Sequence, residues 1–320
     1  MYSIYLIMTT GRTGSDYLQA CLDNVNGLMT FCGKFEYHNF LKENKKLNNE
    51  ELIEKFILIN KKAFSYDKIE DIDTRVDTEK LKKNFIDITK NKTITSKNFL
   101  VSLYEAYYCI SQKNLKNAKA LIHHSHGIEN TRNCLKDYPD AKLFITIRDP
   151  RANLKSGLFN WFKFDRSRIH MSHIYSYIRR IREDLKYAIS LKNEKFFLKL
   201  EEAGEIKIKK EICDFLNINY DRTIETATFN SKIWHGDILS LKKSNKGEYN
   251  ESVKLNDWQK YFKSDELLFF NKIYSDYKKF GYDLPKLSMF EKVKLITLIF
   301  KKFSFEKETF SINLSFKKKI

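Results

Sequence analysis

The chain has 320 residues, 42% of them hydrophobic and 14% aromatic, which is enough to bury a sizeable core and excludes an intrinsically disordered chain. Only 10 Gly and 3 Pro are present, which excludes collagen-like and linker-rich architectures. Lys and Arg outnumber Asp and Glu by 58 to 41, a net charge of +17; that fits an anionic ligand, a nucleic acid or a membrane surface without choosing among them.

The five cysteines (Cys21, Cys32, Cys109, Cys134, Cys213) form an odd set without a C-x-x-C pair. Neither a disulfide framework nor a Cys-rich zinc site follows, and a reducing, cytoplasmic compartment is expected. The apolar run Tyr2 to Met8 is too short for a signal peptide or a membrane span. It reads instead as a buried strand. A small-residue loop, Thr9 to Ser15, follows. After it comes a helix with Tyr17, Leu18, Cys21 and Leu22 on one face, ending near Asn24 to Gly27. Strand, loop and helix in this order open an α/β fold.

Residues 40–118 alternate charged runs with apolar clusters and read as a mostly helical insertion. Ala120 to His123 and Ala141 to Ile147 are the next strands. The second runs into Arg148-Asp149-Pro150, where Asp149 caps a helix over about Arg151 to Phe162. Ile174, Ile178, Ile181, Leu185 and Ile189 mark a long amphipathic helix. Lys195 to Leu200 is a strand, Ile206 to Leu216 a helix, and Leu267 to Phe280 a last core helix stopped by Gly281. The expected fold is a mainly parallel sheet flanked by helices, one domain over 1–286 followed by a basic amphipathic tail over 287–320.

Two segments carry chemistry. Gly11-Arg12-Thr13-Gly14-Ser15 lies between a strand and a helix. Its glycines allow a tight turn that converges N–H groups on an anion, and the helix start adds partial positive charge. Arg12 adds a cation, and Thr13 and Ser15 add hydroxyls. A Walker loop needs G-x-x-x-x-G-K-[ST]; the Lys is missing and the glycines are too close. The second segment, Arg148 to Ser156, also joins a strand end to a helix, where open α/β sheets bind ligands.

Together, Gly11-Arg12-Thr13-Gly14-Ser15 and Arg148-x7-Ser156 resemble the two cofactor loops of sulfotransferases that use 3'-phosphoadenosine-5'-phosphosulfate (PAPS). Trp234-His235-Gly236-Asp237, Asp257-Trp258 and Phe280-Gly281-Tyr282 resemble late segments of bacterial and cytosolic members. The resemblance implies a P-loop-like fold in which Gly11, Arg12, Thr13, Gly14 and Ser15 hold the 5'-phosphosulfate. It assigns the 3'-phosphate to Arg148 and Ser156. It implies no metal. Three departures stand out: Arg12 replaces a frequent Lys, Asp16 brings a negative charge where hydroxyl residues are common, and the family's late basic loop is matched only loosely, by Lys246-Gly247.

Sulfuryl transfer to a hydroxyl needs a base. His126 lies 22 residues before Arg148, the register of the catalytic His in the Lys-Thr-His element of cytosolic sulfotransferases, and His124 falls at its Lys position. His123 is expected to face the core. A metal site from His124, His126 and Glu129 fits no common zinc spacing. Glu36 is the rival base, because many carbohydrate sulfotransferases use a Glu soon after the first loop. The acceptor is expected to be a hydroxyl on a sugar or other small metabolite. Two other readings stand beside this one: an atypical P-loop phosphotransferase, and a non-catalytic nucleic-acid-binding protein, disfavoured because no RNA-binding motif appears. The tail holds Phe290, Leu295, Ile296, Leu298, Ile299 and Phe300 among lysines. It reads either as a helix packed on its own domain or a second subunit, or as a peripheral contact with an anionic membrane.

Overall fold

The computed structural model describes residues 2–9, 11–31, 33–64, 76–110, 114–162, 171–234, 236, 247–255, 257–285, 288–291 and 293. His235, Asp237, Lys246 and the tail over 287–320, apart from 288–291 and 293, lie outside them. The chain divides into two compact units. The first comprises Met1–Thr9, Gly14–Thr146 and Lys192–Asn250; the second comprises Thr10–Thr13, Ile147–Leu191 and Glu251–Ile320.

The first unit is built on a five-stranded sheet of β1 (Ser3–Thr9), β2 (Leu28–Thr30), β3 (Ala120–His124), β4 (Lys142–Ile147) and β5 (Lys195–Lys199), in the order β2-β3-β1-β4-β5. β1 runs parallel to both β3 and β4, with Ile7 opposite His124 and Thr9 opposite Thr146. β2 runs parallel to β3. Leu6, Ile7, Leu121, Ile122, Leu143 and Phe144 are fully buried. Both faces of these strands are therefore covered, which explains continuous apolar runs in place of alternation. β2 has only three residues and is not visible in the sequence pattern.

The sequence pattern predicts one buried face for α1 (Ser15–Leu22), but the helix is buried around almost its whole circumference, Gln19 included. The reason is that it packs against the sheet and also against a 3₁₀ turn (Arg222–Glu225) and the hairpin of β6 (Thr228–Phe229) and β7 (Lys232–Ile233). Asp23, just beyond α1, ties the helix end to that hairpin by accepting hydrogen bonds from Thr228 Oγ1 (2.9 Å) and the Ser231 N–H (2.8 Å).

Between β2 and β3 lie α2 (His38–Glu43), α3 (Asn49–Ile59), α4 (Lys61–Phe64), α5 (Thr78–Thr89) and α6 (Ser96–Ile110). Asn48 and Glu51 close a reciprocal capping box on α3, and Asp77 caps α5. These helices share an aromatic core in which Phe35 and Phe56, and Phe56 and Phe99, meet edge to face at 5.3 and 5.1 Å, the arrangement ring quadrupoles favour. α7 (Ile128–Asp137) follows β3, and α10 (Ile206–Phe215) follows β5.

The second unit contains α8 (Pro150–Phe162), α9 (Met171–Ser190) and α11 (Ser264–Ile273). Asp149 starts α8 as expected, accepting from the Arg151 N–H at 2.9 Å. Ile178, Ile181 and Leu185 form the buried stripe of α9. The last core helix is not continuous: α11 ends at Ile273 and a 3₁₀ segment covers Ser275–Phe280 before Gly281. Tyr274 and Tyr277, both buried, sit at that tightening. No described helix is long and apolar enough to cross a membrane.

Candidate functional site

Three neighbouring parallel strands end together. Thr9 of β1 lies opposite Thr146 of β4, and Ile7 opposite His124 of β3. β3 and β4 flank β1, so successive connections depart to opposite sides of it, which is the switch-point topology that opens a crevice at the carboxyl ends of strands.

The chain leaves β1 through Gly11 (φ +83°), Arg12 (φ +58°) and Gly14 (φ +86°). A non-glycine residue held in the left-handed region costs about 1–3 kcal/mol and marks functional loops, so Arg12 is displayed against its own preference. Gly14 is required sterically as well, because a Cβ there would lie 2.4 Å from Leu200 Cδ1. Thr13 and Ser15 are buried. No side chain caps α1, unlike α3 and α5. Turned glycines, a cation, small hydroxyl residues and an uncapped helix start suit an anion.

Within the second unit, the two sequence segments meet: Arg12 Nε donates to Ser156 Oγ at 3.3 Å. Ser156 therefore reaches Arg12 from well inside α8, and it also accepts from Asn160 Nδ2 at 3.2 Å. Arg148, at the end of β4, shares a neighbour with Arg12. Burial pushes the Tyr177 phenol up, and Arg12, Arg180 and Arg148 oppose that rise with their positive charge. Tyr177 Oη donates to Asn153 Oδ1 at 2.5 Å. Its ring lies so close to α8 that a Cβ on Gly157 would sit 2.3 Å from it. Tyr177 thus braces the turn of α8 that presents Ser156. Nothing in the sequence pattern singles it out.

Arg151 has a different fate. It is 6% exposed. Nε and Nη2 bind the two carboxylate oxygens of Asp149 at 3.0 and 2.8 Å, Nη1 donates to Asn271 Oδ1 at 3.2 Å, and the guanidinium stacks 4.1 Å over Trp258. Its donors serve the fold, which also explains the buried place of Trp258.

In the first unit the three histidines at the end of β3 differ. His123 faces the core as expected, with Nδ1 3.1 Å from Tyr104 Oη. Burial, aided by His38 and opposed by Glu36, lowers it to about 3. His124 is also buried, and burial, Lys34, His126 and His123 hold it well below the ordinary imidazole value. His126 is half-buried, with its ring 5.8 Å from that of His124.

Glu36 is not a loose surface carboxylate. Oε1 accepts from the N–H groups of His38 (2.8 Å) and Asn39 (3.2 Å) at the start of α2. Burial pulls its pKa up, but the His38 side chain and these two N–H groups outweigh burial and hold it below the usual carboxylate value. His38 in turn bonds Asp137 through Nε2 at 3.0 Å. Asp16 is turned to Lys34, which lies 2.7 and 2.9 Å from its two oxygens, so its charge is balanced. No group of three or more His, Cys, Asp or Glu among the described residues is arranged to hold a metal.

No family model matches the chain, and no curated protein matches it. Among solved structures, the chain is similar to the sulfotransferase domain from the curacin biosynthetic pathway, at 13% identity and a TM-score of 0.54 over 89% of this chain and 99% of that one. It is also similar to the sulfotransferase domain from the Synechococcus PCC 7002 olefin synthase, at 16% identity and a TM-score of 0.51 over 89% and 98% of the two chains. The chain has the fold of these sulfotransferase domains, the α/β architecture expected from its sequence.

Proposed function

We propose that this chain is a sulfotransferase that moves the sulfuryl group of PAPS to a hydroxyl acceptor, a carbohydrate or another small metabolite, in a reducing, cytoplasmic compartment. The observation that carries this reading is the 3.3 Å contact of Arg12 with Ser156. It joins the two segments that resemble the family's cofactor loops, in a chain with the fold of sulfotransferase domains.

PAPS, when bound, supplies the sulfuryl group, and its S–O bond to phosphate is the one that breaks. Gly11 to Ser15 wrap the 5'-phosphosulfate, and Arg12 stabilises the charge that develops on the departing phosphate. Arg148 and Ser156 hold the 3'-phosphate through charge-assisted hydrogen bonds. His126 takes the proton as the acceptor oxygen bonds to sulfur. Two facts favour His126 over Glu36. His126 is the more accessible of the β3-end histidines, whereas the Glu36 carboxylate is engaged at the start of α2 and held below its usual pKa, which weakens it as a base.

Calorimetric titration of the full chain with PAP, with ATP and Mg²⁺, and with single-stranded RNA tests the reading. Binding of PAP alone, followed by label transfer from PAPS to a hydroxyl acceptor, is the expected result. Binding of ATP with Mg²⁺, or of RNA, without PAP overturns it.

A further inference from the structure

Gln19 is a buried amide among the apolar residues of α1, 2% exposed, and its position is explained by two bonds. Its Nε2 donates to the Phe31 carbonyl. That fixes the orientation of the amide, so Oε1 faces His124 Nδ1 at 3.1 Å. An amide oxygen only accepts, so His124 carries its proton on Nδ1. Asp16 Oδ1, 3.7 Å from the same nitrogen, favours the same tautomer. The lone pair of His124 is therefore on Nε2. That atom is buried and has no hydrogen-bond partner among the described residues.

A buried acceptor left unpaired costs about 1–3 kcal/mol, so its retention calls for a donor that arrives later. His126 lies two residues on, its ring centroid 5.8 Å from that of His124. Two imidazoles joined by one N–H···N bond of about 2.9 Å have their ring centres at a comparable separation. We propose that Gln19 and His124 are positioning residues for His126: Gln19 locks the His124 tautomer, and His124 Nε2 accepts the second N–H of His126 when His126 becomes an imidazolium.

The proposal rests on the reading of His126 as the base. The proton from the acceptor hydroxyl goes to one nitrogen of His126, and as the ring becomes charged the N–H on its other nitrogen closes onto His124 Nε2, which has no partner among the described residues beforehand. A base oriented by a third group is the general logic of nucleophile activation. The other charged and titratable groups around His124 are Asp16, Lys34 and His123. Asp16 and Lys34 balance each other as an ion pair, and His123 is held neutral by burial.

Long-range proton–nitrogen NMR of the full chain reads the tautomer directly, with His124 assigned by loss of its signals in His124→Gln. A neutral His124 protonated on Nδ1 is expected; a proton on Nε2, or an imidazolium at neutral pH, overturns the proposal. Gln19→Leu, which removes the acceptor, is expected to lower kcat roughly tenfold, the low end of what losing an orienting partner costs. The acid limb of its pH profile should move to lower pH, because His126 loses support for its charged form, while PAP binding is unchanged. A Gln19→Leu chain with a lower Tm but an unshifted profile overturns the proposal alone. Absence of sulfuryl transfer by the unaltered chain overturns the functional reading, and this proposal with it.

Discussion

Asp184 on α9 carries a cost that can be removed. It is 3% exposed, and its ion-pair partner, Arg180 Nε, lies 3.3 Å away on a side chain that is 40% exposed. Burial pushes the carboxyl up to about 6 against the pull of Arg180, roughly two units above an ordinary Asp at about 3.9. At about 1.36 kcal/mol per unit this amounts to about 3 kcal/mol. The sign follows from proton binding. Between about pH 4 and 6 the folded chain holds a proton that the unfolded chain releases, so stability falls as pH rises through that window. Above it the full penalty applies; below about pH 4 it is absent. Asp184→Asn removes the buried charge, and the pull of Arg180 is already contained in the net shift. The variant should gain about 3 kcal/mol at pH 8, a rise in Tm of roughly 7 °C, and only about 1 kcal/mol at pH 4.5, where the unfolded carboxyl is still mostly ionised. Thermal unfolding at the two pH values checks this. An equal shift at both, or a loss at pH 8, refutes the argument that burial of charge is the cause.

Arg12→Ala should lose far more turnover than PAP affinity, because the charge it meets develops in the transition state; steady-state kinetics at saturating PAPS beside calorimetry with PAP separate the two. Arg148→Ala should weaken PAP binding at least tenfold, since a charge-assisted hydrogen bond contributes about 1.5–3 kcal/mol. Adenosine 5'-phosphosulfate, which lacks the 3'-phosphate, should bind as before in the same titration. His126→Ala should cut kcat about 10²–10⁴-fold with PAP binding intact, whereas Glu36→Gln should keep most of its turnover. A dead Glu36→Gln beside an active His126→Ala reverses the assignment of the base.

What could be read from the sequence follows from how each element is stabilised. β1, β3 and β4 are visible because buried parallel strands are short runs of apolar residues, and β5, at the sheet edge and half-buried, by its run Phe196-Phe197-Leu198. α7 escapes notice because its buried side is thin, Thr131 and Cys134 only, and most of the decapeptide is polar. β2 is too short to rise above its flanks. The members of the anion loops are legible because glycine, arginine and hydroxyl residues at a strand end have few other reasons to occur together. Their meeting is not: whether Ser156 reaches Arg12 depends on how α8 is braced by Tyr177 and Asn153. Gln19 and His124 are likewise 105 positions apart, and no local pattern links a helix amide to a histidine at a strand end.

The placement of α2 to α6 has a consequence for how this architecture tolerates change. Their entry and exit strands, β2 and β3, are direct sheet neighbours, with Leu28 opposite Ala120 and Thr30 opposite Ile122. The whole helical excursion is thus a loop whose ends are already stitched together by the sheet. Lengthening such a loop is cheap, about 0.6 kcal/mol for each doubling, and the excursion has an aromatic core of its own to hold its shape. Neither β1 nor β4, from which the loops carrying Arg12 and Arg148 depart, has to shift register when it is rebuilt. The sheet therefore works as a socket: the helices between β2 and β3 can be exchanged wholesale, by recombination or by design, while the strands that launch the anion-binding loops stay in place.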